Sequence, residues 1–139
     1  MMTKTYIIEH EQAMLDFAQQ FSQRIKPGQT IHLIGNLGAG KTTFVRGILR
    51  ALGHYGAVKS PTFTIVEPYQ INQLMLYHFD LYRIEDPEEL ELIGMRDYMH
   101  KNSLCFIEWP EKADGYLPKP DITCYIDIQG NGRVIKVDE

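Results

Sequence analysis

Residues Thr30–Leu52 read TIHLIGNLGAGKTTFVRGILRAL, and the fold follows from how this stretch is parsed. Thr30–Ile34 is an apolar run with β-branched residues, the pattern of a buried strand. Gly35-Asn36-Leu37-Gly38-Ala39-Gly40-Lys41-Thr42 fits G-x-x-x-x-G-K-[ST], a loop that joins a strand to a helix and cradles phosphate with backbone N–H groups. Glycines permit the tight turn and a close approach of the backbone to the anion. Phe44, Val45, Ile48, Leu49 and Leu52 then recur at helical spacing, and Gly53 stands where a left-handed C′ residue ends a helix. In this pattern Lys41 places a charge on the β- and γ-phosphates, and the Thr42 hydroxyl is a hard oxygen ligand for Mg²⁺. The helix starting near Lys41 turns the positive end of its dipole towards the same anion.

Working outward, Thr5–Ile8 reads as a short edge strand and Glu11–Ile25 as a helix with Met14, Phe17, Ala18, Phe21 and Ile25 on one face. Beyond the loop unit, Phe63–Tyr69 and Leu74–Phe79 are β-rich runs around Gln70–Gln73, a hairpin. Asp86-Pro87-Glu88-Glu89 is a helix start, predicted to run through Leu90 and Ile93 to Gly94, with a further helical turn or two in Met95–His100. Leu104–Ile107 has the continuous apolar character of a central strand covered on both faces. Ile122–Ile128 and Arg133–Asp138 flank a second hairpin turn. The order predicts one α/β domain over residues 1–139: a P-loop NTPase-like three-layer sandwich, mainly parallel at its centre with antiparallel hairpin additions.

Composition agrees with this class. The chain has 139 residues, 44% of them hydrophobic, and a formal net charge of −4 with no run of Lys or Arg, which argues against a broad non-specific nucleic-acid surface. No stretch approaches the ~20 apolar residues of a membrane span. The first residues lack the apolar core of a signal peptide. Cys105 and Cys124 lie in apolar runs and read as buried thiols, not as a disulfide or metal pair. A cytoplasmic, reduced setting is the expectation.

A phosphate loop needs an acidic partner at a neighbouring strand end. Asp80 and Glu108 each follow an apolar strand, which puts both at the carboxyl edge where open α/β sheets bind ligands. Glu108 is the better match because its strand is the more apolar; the plain alternative for either is a solvated strand-end carboxylate. Ser60-Pro61-Thr62 reads either as a switch loop sensing a γ-phosphate or as a turn that opens a strand. Trp109 reads as an aromatic at the active edge or as core. His32 and His78 read as core residues, and His10, His54 and His100 as surface positions.

The blocks GNLGAGKTT (35–43), KSPTFTIVEPY (59–69), YHFDLYRIEDPEELELIG (77–94) and FIEWPEK (106–112), in this order, resemble the TsaE family of ATPases required for threonylcarbamoyladenosine on tRNA. The resemblance implies ATP and Mg²⁺ as cofactors. Gly38, Ala39, Gly40, Lys41, Thr42 and Thr43 would hold the phosphates, Thr42 and Glu108 the metal. Asp80 would act in hydrolysis beside Lys41 and Glu108, with Thr62 in a switch-like loop. Glu11, Glu111 and Arg133 stand where family members approach the nucleoside. The implied partner is a TsaB–TsaD complex, through which the chain serves tRNA indirectly, TsaD making the carbamoyl transfer. Asn36 departs from the family, which usually carries an acidic residue there. Two other readings remain open on the residues: a small-molecule kinase and a non-catalytic ATP-binding module.

Overall fold

A parallel four-strand core carries the molecule, and hairpins extend it at both margins. The computed structural model describes residues 2–139. In chain order the strands are β1 (Thr3–Ile8), β2 (Thr30–Ile34), β3 (Val66–Ile71), β4 (Leu74–Asp80), β5 (Ser103–Glu108), β6 (Ile122–Gln129) and β7 (Gly132–Asp138). The α-helices are α1 (Glu11–Ser22), α2 (Lys41–Leu52) and α3 (Glu89–Leu92), with 3-10 turns at Met95–Tyr98 and Pro110–Ala113. The seven strands form one sheet in the order β1-β7-β6-β2-β5-β4-β3. Pairing is parallel between β6 and β2, β2 and β5, and β5 and β4, and antiparallel elsewhere. The parallel character is thus confined to the four strands that β2 and β5 organise.

β5 is central and buried at every position, as its apolar run requires. Alternation sorts the strands' residues onto two faces. Leu76, Leu104 and Phe106 join Ile31, Leu33 and the α1–α2 pair in one core, while Phe79, Cys105 and Ile107 join Leu90, Met95 and Ala113 in another. On the first face Phe17, Phe21 and Phe44 form an aromatic cluster, and Phe44 meets Phe106 edge-on at 6.5 Å. The opposite face is covered only by α3, the 3-10 turns and their connections, so the outer layers are unequal.

Several boundaries differ from the sequence expectation. The helix predicted from Asp86 contains regular α-helix only at Glu89–Leu92. Its start signal is present: Asp86 Oδ1 accepts the Glu88 amide at 3.0 Å, and the Glu89 carboxylate accepts the amides of Glu85 and Asp86 at 3.1 and 3.4 Å. Yet residues 89–91 donate to carbonyls three residues back, and only Leu90 is buried, so no apolar face propagates the helix. The strand predicted from Phe63 begins at Val66. Residues 61–64 form a turn closed by the Ile65 amide on Pro61 O at 2.8 Å, with Phe63 exposed. α1 stops at Ser22, though Ile25 is still buried. The first hairpin turn is the pair Asn72-Gln73, Asn72 taking φ 56°, a left-handed conformation that asparagine tolerates. Cys105 and Cys124 are buried free thiols, and burial pushes them up to about 11 and about 12.

Candidate functional site

The loop between β2 and α2 is shaped by its glycines. A Cβ at Gly35 would lie 2.5 Å from the carbonyl oxygen of Ile126, inside any tolerable contact. Gly40 is the N-cap of α2 at φ 106°, a conformation that side chains strain to adopt. No side chain caps this end, and the first turn of α2 holds no acidic residue. The first-turn amides of α2 therefore present donors and dipole together. Lys41 is 5% exposed. Its Nζ donates to Gly35 O, sits 3.5 Å from Glu108 Oε1, and lies 4.7 Å from the centre of the Trp109 ring. Trp109, at φ 55°, also meets Tyr82 at 4.9 Å, so it packs against Lys41 as well as against the second core.

Register brings the two acids together. Asp80 and Glu108 are paired residues at the ends of β4 and β5. With His78 they share the sheet face of Leu76 and Phe106, the face that α2 covers. Asp80, 3% exposed, accepts the Tyr82 amide at 2.9 Å and the Thr62 hydroxyl at 3.2 Å, and Thr62 is linked to Ser60 at 2.8 Å. Glu108, 4% exposed, is bonded through Oε2 to His78 Nε2 at 2.5 Å. The 61–64 turn that replaces the predicted strand start is what carries Thr62 to Asp80.

A pocket of about 270 Å³ collects these groups: Gly38, Gly40, Lys41, Thr42 and Thr43 on the loop side, and Ser60, Thr62, Asp80 and Glu108 opposite. Ala39 is buried and faces away from it. A second pocket of about 220 Å³ shares Gly40 and Thr43 and is bordered by Glu11 and Arg133. Glu111 stands exposed on the Pro110–Ala113 turn and borders neither pocket. Asn36 is exposed and receives the Ala39 amide on its carbonyl at 3.1 Å.

Two residues have roles that sequence reasoning did not supply. Arg133 is a clamp on the loop: Nε donates to Ala39 O at 2.9 Å, Nη2 to Gly38 O at 3.1 Å and Nη1 to Gly132 O at 2.8 Å. Holding those carbonyls on one side leaves the amides of Gly38 and Gly40 to the other, while that of Ala39 stays on Asn36 O. Arg133→Ala should cost about 1.5–3 kcal/mol of stability, the worth of hydrogen bonds from a charged donor, and speed amide exchange at Gly38–Gly40. Arg133→Lys, lacking the planar fork, should recover only part of it; unchanged melting and exchange in the alanine variant would refute the clamp. His78 reads as core in the sequence, and it is fully buried, but its partner is Glu108. The signal was its position two residues before Asp80, on the same strand face. His32, on the other face, has Nε2 without a partner, and burial pushes its pKa down to about 4.

These features define a mixed α/β protein with one sheet, in which a glycine loop, a buried lysine and two buried acids meet at the carboxyl edge. Comparisons with known proteins place it more closely. The model of the family described as Threonylcarbamoyl adenosine biosynthesis protein TsaE matches residues 8–135. The chain is 49% identical to the tRNA threonylcarbamoyladenosine biosynthesis protein TsaE of Haemophilus influenzae, over 96% of this chain and 87% of that protein. The Bacillus subtilis protein of the same name is 42% identical over 76% of this chain and 66% of its own length. The crystal structure of Bacillus subtilis YdiB superposes with a TM-score of 0.82 at 29% identity, covering 98% of this chain and 84% of that one. The chain belongs to the TsaE family of tRNA threonylcarbamoyladenosine biosynthesis proteins.

Proposed function

We propose that the protein is a Mg²⁺-dependent, slowly turning-over ATPase whose nucleotide state changes its contact with a TsaB–TsaD complex in the cytoplasm. The convergence of Lys41, Thr42, Thr62, Asp80 and Glu108 on one pocket at the N-terminus of α2 carries this reading. The residues present fit both cofactors. Donors of the loop and α2 suit the phosphates, and the neighbouring 220 Å³ pocket, between Arg133 and Glu11, suits the nucleoside. Three hard oxygen donors, the Thr42 hydroxyl and the carboxylates of Asp80 and Glu108, border the phosphate pocket, which suits Mg²⁺. Thr42 and Glu108 would hold that ion, which neutralises charge developing on the phosphates.

The chain's own groups divide the remaining work. Lys41 exchanges its bond to Gly35 O for the β- and γ-phosphates. Asp80 orients the attacking water, and its bond to Thr62 ties that water site to the 61–64 turn. The 61–64 turn is closed on itself by the Ile65 amide on Pro61 O and meets Asp80 through the Thr62 hydroxyl, a small element bordering the pocket that a bound γ-phosphate would reorder, as a nucleotide switch requires. Exposed Phe63 and Arg83 stack at 5.0 Å beside it and give the switch a surface to present.

The test measures affinity for a purified TsaB–TsaD complex with a non-hydrolysable ATP analogue, with ADP and with no nucleotide. We expect a roughly 5- to 150-fold spread between states, the usual range of allosteric coupling. Equal affinities would end the switch reading. Absence of phosphate release from MgATP, with and without the complex, would end the ATPase reading, and phosphate found on a small acceptor would replace it with the kinase.

A further inference from the structure

We propose that His78 is a positioning residue for Glu108, a role that rests on the reading of Glu108 as part of the Mg²⁺–nucleotide site. Glu108 ends a strand and carries a side chain with several rotamers, yet its chemistry needs one orientation. Lys41 does not impose it: at 3.5 Å from Oε1 it supplies charge without a tight directional bond. His78 does. Its ring is fully buried on the same sheet face, its Nε2 lies 2.5 Å from Oε2, and Nδ1 has no partner. With nothing nearby to receive a proton from Nδ1, the tautomer that leaves no N–H orphaned is the one in which Nε2–H donates to Glu108. Pinning Oε2 in the interior directs Oε1 towards Lys41 and the pocket that Thr42 and Asp80 also border. His78 itself borders no part of that pocket, so it acts through Glu108. Groups that orient a metal-binding side chain in this way are worth tenfold or more in metal affinity.

The experiment uses two amides that differ in reach. His78→Gln sets an N–H donor near the place of Nε2; His78→Asn sets it near Nδ1, short of Glu108. Binding of Mn²⁺ to the protein loaded with a non-hydrolysable ATP analogue is followed by loss of the free-ion electron paramagnetic resonance signal. Metal-free nucleotide affinity is measured by calorimetry. We expect His78→Gln to stay within about twofold of wild type and His78→Asn to bind Mn²⁺ about 10- to 100-fold more weakly, with metal-free nucleotide affinity unchanged in both. In a Glu108→Gln background His78→Asn should add nothing, because both changes act through one carboxylate. Equal behaviour of the two amides, a matching loss of metal-free nucleotide affinity, or full additivity with Glu108→Gln would each overturn the role. If His78→Asn does not fold, His78→Gln alone decides: wild-type Mn²⁺ affinity supports the role and lost affinity overturns it. A wild-type protein that binds nucleotide but no Mn²⁺ overturns the metal reading and His78's role together.

Discussion

Lys41→Ala is expected to weaken ATP binding by more than tenfold, with the loss of a charge-assisted contact of about 1.5–3 kcal/mol. The structure adds a second consequence. Lys41 is the buried cation beside Glu108, both about 5% exposed as side chains, so its removal strands a buried carboxylate. Breaking one side of a buried pair costs about 3–5 kcal/mol in the proteins where it has been measured. Lys41→Ala should therefore melt earlier as well as bind weakly. Adding Glu108→Gln separates the two effects. The double variant should regain most of the lost melting temperature and none of the lost affinity. Calorimetric titration with ATP, with the emission of Trp109 as a second readout, checks both halves. Wild-type affinity in Lys41→Ala would refute the phosphate-loop assignment, and full recovery of binding in the double variant would show that only folding had been damaged.

Asp80→Asn should show the opposite profile, with ATP affinity within a few-fold of wild type and phosphate release lowered by roughly 10²–10⁴-fold, the range for removing a positioned acid–base group. Asp80 has no cationic partner among the described residues; its bonds come from the Thr62 hydroxyl and the Tyr82 amide. The two bonds fall on different oxygens, Oδ1 and Oδ2. In Asn the amide oxygen can accept the Tyr82 amide while the NH₂ donates to the Thr62 hydroxyl oxygen, so Asn keeps the turn in place and removes the charge. Asp80→Ala removes the tether on Thr62 as well, and should additionally flatten the difference in partner affinity between ATP-like and ADP states. Single-turnover phosphate release and partner titrations read the two effects apart. If Asp80→Asn turns over at the wild-type rate, the hydrolytic role passes to Glu108.

The strand–loop–helix unit at 30–52, both hairpins, the central position of β5 and the burial of both cysteines were legible in the residues themselves. Each of these depends on spacing along a short stretch: period-two or continuous apolarity, helical recurrence, and turn residues between two β-rich runs. The candidate site was legible to the same depth. Strand-end position was enough to pick out Asp80 and Glu108, because the carboxyl edge of a parallel sheet is set by strand direction alone.

Which partners each acid meets was decided only by tertiary structure. In sequence both are acids after an apolar strand. In the fold, parallel register sets them side by side, and then the 61–64 turn reaches one while His78 and Lys41 reach the other. Partners that lie 18 and 30 residues from them in the chain leave no local pattern. The same holds for Arg133, which meets the loop carbonyls from 94 and 95 residues away. The segment after Asp86 shows the converse. Its start signal is local and it formed, but how far a helix continues depends on an apolar face finding something to cover, and only Leu90 found it. Periodicity along the chain determined the elements and their buried faces; the pairing of side chains across the sheet edge, which depends on strand register and loop closure, was left to the folded molecule.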